Sequence, residues 1–441
     1  MVLLIFISFA ALYLQTKAVF HSEIDHPIRA DASLYYAYAY NLDRYNIYSS
    51  EKNTNWNEGS SPPKPDAIVT PGYPLLLSFF IDNPNINQFL LNISMIQIVF
   101  SLICLPLLFF VLKNFLAPGA ALLAVALTAI SPHLVNMNIY LLTESFFTFL
   151  LVLSLFFISK AADNKKWTFS FLAGLTIGYA SLTRPALQYF IVILVPFIWF
   201  SFGRRYAGRI IVFMLLGFVL VYGSWMTRNY ISLGQTSDSL LVKSTLYHGM
   251  YPDLMYQNKL ESRGIPYRYD PNVNEISKDR DSVLHEIQRR FSEEPLRHIQ
   301  WYLVGKPLTL WSWSILAGMG DVFIYPVTKS PYFDNIFSII THRVMYYLHW
   351  PLLVLAFIGC FIAWMKPDRL FLSASSIFFV RLLSLVLIYF TALHIVAAPY
   401  PRYSIPLRPV MYGMSVFSGM VLFGHLKNYY IKIFQARSSA T

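Results

Sequence analysis

Charge is what this 441-residue chain has least of: 13% of residues are Asp, Glu, Lys or Arg, while 56% are hydrophobic and mean hydropathy is +0.48. Soluble domains carry about a quarter charged residues, so the shortage excludes an ordinary water-soluble enzyme and points to a chain that crosses a membrane repeatedly. Cysteine is nearly absent. Cys104 and Cys360 both lie inside apolar runs, which excludes a disulfide framework and a thiolate metal site and leaves both as packing residues. Phosphate-cradling glycine loops are missing too. There is no GxGxxG, no P-loop, no HExxH and no GxSxG, which argues against a nucleotide-driven pump and against the membrane proteases built on those motifs. The net charge of +11 does not make a nucleic-acid surface, because the basic residues fall in short clusters between apolar runs and form no continuous face.

Those clusters are arranged as topology requires. Runs of roughly 20 apolar residues are needed for a span, and candidates lie near 1–20, 88–112, 119–135, 143–160, 168–182, 186–202, 208–226, 343–364, 382–398 and 405–426. With about ten spans alternating from a cytoplasmic N-terminus, Lys113, Lys160, Lys165, Lys166, Arg204, Arg205, Arg209, Lys366, Arg369, Arg381 and the tail residues Lys427, Lys432 and Arg437 share one side. The short loops opposite hold only Arg184, Arg402 and Arg408. That bias predicts an all-α integral membrane protein, a polytopic helical bundle of the plasma (inner) membrane with both termini in the cytoplasm. The opening MVLLIFISFAALYLQTKAVF lacks a basic leader and a small-residue cleavage site, and reads as a retained span. Trp301–Pro326 is apolar enough to span but holds Lys306, Pro307 and Asp321; counting it would put the basic tail outside, so it is expected to be a helix lying at the interface.

The expected organisation is a membrane module over 1–226 that includes a first outward loop at 21–87, a second outward segment with interfacial helices over 227–341, and a closing set of spans with a short basic tail over 342–441. Pro27–Leu42, PIRADASLYYAYAYNL, directly follows the first span. A helix beginning near Asp31 places Asp31, Tyr35 and Tyr38 on one face, a Tyr-rich surface able to hold a polar substrate against a lipid one. Ser49–Pro65 is polar and Pro-rich and reads as a loop, and DSVLHEIQRRFSEEPLRHIQWYLV reads as a helix capping the membrane core.

On this topology Asp31, Glu144, Arg184, Arg228 and Arg402 converge on one membrane face. Asp31 is the candidate general base, a carboxylate beside the bilayer that accepts the proton of an attacking hydroxyl; the alternative is a first-turn residue favoured by the helix dipole. Glu144 in YLLTESFF is either a second carboxylate that orients the acceptor or holds a divalent cation, or a plain capping residue. Arg184, Arg228 and Arg402 can grip the phosphate of a lipid carrier and stabilise it as a leaving group, or simply snorkel to lipid headgroups. Tyr35, Tyr38, Tyr73 and Tyr403 are the candidates to line the substrate. In Thr70–Pro74, TPGYP, structure is the expected role, with a rigid lead-in and a glycine turn. His133, His248, His342, His349 and His394 have no metal-ligand spacing.

The pieces RADASLYYAYAYNL, TPGYPLLLSFF, YLLTESFF, SLTRPAL, SWMTRNYISLG and PRYSIPLRPVMYG, in this order, resemble the polytopic GT-C glycosyltransferases that use polyprenyl-phosphate sugars, including protein O-mannosyltransferase-like enzymes and lipid A aminoarabinose transferase. The resemblance implies a GT-C fold with outward juxtamembrane helices and an inverting transfer from a polyprenyl-phosphate-linked sugar to an acceptor glycan, lipid or protein on the outer face. It implies that Asp31 is the catalytic acid residue of the first outward loop, that Glu144 is a second acidic residue, and that Arg184 and Arg402 face the carrier phosphate. Partners are then the donor, the acceptor and the bilayer, with no nucleic acid. No cofactor is assigned with certainty, and whether a divalent cation is needed stays open. Two rival readings are a polymerase or ligase using lipid-diphosphate glycans and a flippase for lipid-linked sugars, although a transporter would show internal repeats and broken helices at mid-membrane.

Overall fold

A computed structural model describes residues 1–51, 62–81, 85–164, 166–237, 240–252, 254, 265–315, 319–365 and 372–438, the last fourteen by backbone alone. Most of Ser49–Pro65, and Lys165, Lys366 and Arg369, which carry part of the charge bias, lie outside the described residues.

The first helix, α1 (Val2–His21), ends at Ser22 in extended backbone. A two-residue strand β1 (Glu23–Ile24) follows, and then α2 (Ala30–Tyr45), which closes on Asn46 in the left-handed region. Asn46 is suited to that position because its short polar side chain tolerates positive φ. Next come α3 (Gly72–Ser78) and α4 (Ile86–Leu112), the latter capped by the Asn85 side chain on the Asn87 N–H at 3.0 Å. The expected span at 119–135 is two helices, α5 (Pro118–Ala129) and α6 (Pro132–Met137), because Pro132 cannot continue α5 but is well placed to start a new helix. A hairpin of α7 (Glu144–Asn164) and α8 (Trp167–Thr183) leads to α9 (Phe190–Ser201). After it, α10 (Arg204–Phe218) runs through a π-type turn at Val219–Gly223 into α11 (Ser224–Leu233) as one 30-residue rod.

The segment after α11 contains α12 (Leu240–Gly249), α13 (Val273–Ile276), α14 (Arg280–Glu293) and α15 (Pro295–Gln300), so the helix expected over DSVLHEIQRRFSEEPLRHIQWYLV is broken at Glu294, whose non-helical backbone precedes Pro295. Asp279 caps α14 by accepting the Ser282 N–H at 2.7 Å. The chain then continues through a π-type turn at Trp301–Gly305 into α16 (Lys306–Leu310). Beyond α16 the expectation of an interfacial helix fails. Trp311, Trp313, Ile315 and Val322–Tyr325 are buried in the main core in non-helical backbone, with Asp321 at φ +52°. The reason is bonding to side chains of the bundle: His133 and His349 hold the carbonyls of Trp313 and Trp311 at 2.7 Å each, and Asn136 donates to the Val322 carbonyl at 2.7 Å. Those bonds satisfy buried backbone groups that a helix would have satisfied internally. The strand β2 (Val327–Lys329) pairs antiparallel with β1, with Lys329 Nζ 2.6 Å from Glu23 Oε1, and so ties the end of α1 to the far half of the chain. The short α17 (Pro331–Asp334) precedes α18 (Ile336–Ile362), α19 (Ala374–Val396) and α20 (Arg408–Ser438).

Among the described residues seven helical stretches are long and apolar enough to cross a membrane, namely α1, α4, α7, α10–α11, α18, α19 and Pro401–Gly424. The three other expected spans correspond to the shorter α5, α8 and α9. Lipid offers little hydrophobic drive between helices, so close backbone approach has to supply packing. Gly174 and Gly217 do this where α8 crosses α10: a Cβ on Gly174 would lie 1.9 Å from the Met214 carbonyl oxygen, and one on Gly217 2.3 Å from that of Phe171.

Candidate functional site

The site is built where four helix ends meet, at the start of α2, the start of α7, the end of α8 and the link between α19 and α20. Each end is fixed by local sequence. Arg184 stands at the C-cap of α8 in extended backbone because Pro185 follows it and disfavours helical angles in the preceding residue. Glu144 opens α7, and Arg402 lies in the 3₁₀ turn Pro401–Leu407, whose prolines keep the chain from joining α19 to α20 directly.

Asp31 and Arg402 form a hydrogen-bonded ion pair between carboxylate Oδ2 and guanidinium Nη2. A second pair, Arg184 and Glu144, is separated by 3.4 Å. Tyr403 lies between the two pairs, its ring centroid 4.8 Å from the Arg184 guanidinium and 5.4 Å from that of Arg402. The exposure gradient across the cluster is steep. The Asp31 side chain is 41% exposed and reachable from outside, Arg402 is 21% exposed, Arg184 12% and Glu144 2%. Charge from Arg402 holds the Asp31 carboxyl below the usual carboxylate range, helped by the hydrogen bond and by Arg184, against burial, which acts the other way.

Two buried polar atoms here, Glu144 Oε2 and Arg184 Nη1, have no hydrogen-bond partner among the described residues, although Nη1 makes the ion pair with Glu144 Oε1. Buried polar groups are normally satisfied, so this acceptor and this donor are open to a water or a polar ligand. Tyr35 and Tyr73 line it, with rings 5.4 Å apart edge to face. Burial, and then the charges of Asp31 and Glu144, push the Tyr35 hydroxyl up, so that it stays a neutral donor.

Residues that the sequence did not single out hold this arrangement. Tyr73 donates to Gln97 Oε1 at 3.1 Å, and Gln97 Nε2 donates to the carbonyls of Asn138 and Tyr140, each at 3.1 Å, fixing the turn that delivers Glu144. Tyr325 donates to the Arg29 carbonyl at 3.1 Å and lies under the Arg29 guanidinium, pinning the residue before Ala30, whose φ is +46°. Asp31 is thus presented from a strained start of α2. A non-glycine residue at positive φ costs of order 1–3 kcal/mol and persists only where its surroundings enforce it. In TPGYP, Gly72 acts by close approach and not by a turn: its Cβ would meet Thr183 Oγ1 at 2.5 Å, one residue before Arg184.

Tyr38 and Arg228 do not join this cluster. Tyr38 is fully buried, stacks on Tyr48 at 4.3 Å and donates to the Asp66 carboxylate, which also accepts from the Ser50 N–H and hydroxyl at 2.7 Å each. Arg228 donates to the carbonyls of Asp66 and Tyr48 at 2.9 and 3.1 Å and packs on Trp225 and Tyr48. Together they clasp the loop that follows α2. Arg228→Ala is therefore expected to weaken that loop by about 1–3 kcal/mol. Hydrogen exchange should speed up in residues 47–51 and 66–69.

Among the described residues no group of three or more His, Cys, Asp and Glu gathers to hold a metal ion. Both carboxylates of the site are paired with arginine, a donor set that does not suit a divalent cation. The other acidic residues near the first span turn elsewhere: Glu23 pairs with Lys329, Asp25 with His26 at 3.5 Å, and Asp43 lies 3.9 Å from Arg44.

Residues 70–226 match the family described as dolichyl-phosphate-mannose-protein mannosyltransferase. Among solved structures, the chain is similar to the archaeal oligosaccharyltransferase AglB of Archaeoglobus fulgidus in complex with an inhibitory peptide and a dolichol-phosphate, at 14% identity and a TM-score of 0.53, covering 99% of this chain and 53% of that one. It is similar to the oligosaccharyltransferase of the same organism tethered with an acceptor peptide containing the NVT sequon, again at 14% identity and 0.53, covering 97% and 50%. The chain spans about half the length of these structures, and no curated protein matches it. The chain therefore shares the fold of these oligosaccharyltransferase structures, and residues 70–226 carry the match to the dolichyl-phosphate-mannose-protein mannosyltransferase family.

Proposed function

We propose that this protein is an inverting glycosyltransferase that moves a sugar from a polyprenyl-phosphate carrier to an acceptor hydroxyl at the outer face of the membrane. The observation that carries the reading is the single cluster in which a reachable carboxylate, Asp31, and two arginines, Arg402 and Arg184, surround unsatisfied buried polar atoms at the helix ends. The acceptor oxygen attacks the anomeric carbon from the face opposite the phosphate. Its proton passes to Asp31, the bond from the anomeric carbon to the phosphate oxygen breaks, and the electron pair leaves with the lipid phosphate. Arg402 and Arg184, 21% and 12% exposed, stabilise that charge with donors already held in place by the fold. Glu144 Oε2 is available to accept from a sugar or acceptor hydroxyl. The aromatic walls Tyr35, Tyr73 and Tyr403 suit the apolar faces of a sugar ring.

Purified protein in vesicles, supplied with a polyprenyl-phosphate sugar of known anomeric configuration, is expected to release polyprenyl phosphate and to give a product of the opposite configuration by NMR. Retention would remove the single-displacement mechanism. Passage of intact sugar-lipid across the vesicle without cleavage would replace the enzyme reading with that of a flippase.

A further inference from the structure

Lys306 is 0% exposed and has no carboxylate partner among the described residues within ion-pair distance. Its ammonium donates instead to three consecutive carbonyls, Ile395 at 2.8 Å, Val396 at 3.1 Å and Ala397 at 3.2 Å, and lies 3.5 Å from the centroid of the Tyr302 ring. These are orphan carbonyls at the C-terminal end of α19, where the helix dipole is negative and a cation is favoured. Burial pushes the Lys306 pKa down to about 6; the three carbonyls and the ring face act in the opposite sense.

Five residues after Ala397 the chain reaches Arg402. The intervening stretch is held from the same side by the segment after α11. A Cβ on Gly249 would lie 2.6 Å from the Ala397 carbonyl oxygen, and Trp301 Nε1 donates to the Gly249 carbonyl at 2.9 Å. The Tyr400 hydroxyl lies 2.9 Å from His248 Nδ1 and 3.2 Å from the Tyr267 hydroxyl. Arg402 is thus carried by a short link whose near end is anchored by the buried Lys306 side chain.

We propose that Lys306 is a positioning residue that sets Arg402 beside Asp31 by capping the end of α19. The proposal deepens the glycosyltransferase reading and rests on it for its catalytic consequence, whereas its structural part stands alone. A lysine here does what neither a glycine cap nor an apolar side chain can do: it satisfies three carbonyls from another element and so ties the helix end to α16.

The test compares Lys306→Met, which keeps the length of the stem and removes the donors, with Leu310→Ala in the same helix, a buried truncation that removes no donor to the carbonyls. Hydrogen exchange is followed by mass spectrometry over residues 397–403, and donor turnover is followed against pH. In Lys306→Met, exchange over 397–403 is expected to rise by about tenfold or more as the link opens locally. The acid limb of turnover should move towards the ordinary carboxylate range, because Arg402 no longer holds the Asp31 carboxyl down. Leu310→Ala is expected to lower the melting temperature and leave the limb in place. Unchanged exchange and an unmoved limb in Lys306→Met would overturn the proposal. Should Lys306→Met not accumulate, Lys306→Leu, which also removes the donors, carries the same comparison. If the wild-type protein turns over no polyprenyl-phosphate sugar, the functional reading fails, and the exchange measurement still decides the role of Lys306.

Discussion

Asp31→Asn, produced at the wild-type level, is expected to lose donor turnover by a factor of about 10² to 10⁴, the range that a positioned general base supplies. Asparagine keeps the size of the side chain and can still accept from Arg402, so the start of α2 and the helix packing should survive. Only proton acceptance is removed. The expected signature is a fall in kcat with little change in the KM for the donor, because the base acts on a proton that moves only in the transition state. Release of polyprenyl phosphate and arrival of labelled sugar on the acceptor should fall together. A variant that still releases carrier phosphate at the wild-type rate would place the base elsewhere, and Glu144 is then the other carboxylate of the cluster. The 41% exposure of Asp31 against 2% for Glu144 is the reason to expect Asp31, since an acceptor arriving from outside meets it first.

Arg402→Gln carries the second large effect and changes pH dependence as well as rate. Arg402 both lowers the pKa of Asp31 and, on the proposed mechanism, stabilises the departing phosphate. Loss of one such donor typically costs about 10² to 10³ in kcat. The sign of the pH effect follows from linkage. The Asp31 pKa is lower in the folded protein than in the unfolded chain, so its stabilising contribution is present above the ordinary carboxylate range and lost as pH falls through the folded value. Without Arg402 the folded value rises, and both the acid limb of turnover and the acid end of the stability curve should move to higher pH. A pH–rate profile for Arg402→Gln scaled down but unshifted would show that the carboxylate governing the acid limb is not the one bonded to Arg402.

The reach of the sequence can be followed residue by residue. Arg184 was legible because Thr–Arg–Pro at the end of an apolar run announces a helix end, and a charged residue at such an end faces the membrane surface. Asp31 and Tyr35 were legible from their shared face on the helix after the first span and Glu144 from its place at the start of a span, and the structure places all of them in one cluster with Tyr73, Arg402 and Tyr403. Tyr38 shares a periodic face with Asp31 on paper, yet it turns into the cluster of Tyr48, Val69 and Trp225, because the Asp66 carboxylate 28 residues away captures its hydroxyl. Arg228 was indistinguishable from the other arginines at span ends until the carbonyls of Tyr48 and Asp66 appeared beside it. The segment after Trp311 reads as apolar helix, and only the side chains of His133, Asn136 and His349 explain why its backbone can be irregular and still buried.

Composition and the spacing of apolar runs by themselves determined that this is a polytopic helical membrane protein, roughly how many helices it has, and at which helix ends charge collects, because crossing a bilayer constrains every residue of a span locally. Which of those charges become partners was decided by the tertiary structure alone. Asp31 and Arg402 are separated by 371 positions, and Lys306 and the carbonyls it caps by about 90. Their pairing depends on how helices cross, which is set by close contacts such as Gly174 against Met214 and Gly72 against Thr183. Packing of that kind is a property of surfaces that meet only in the fold, and it leaves no periodicity in the chain.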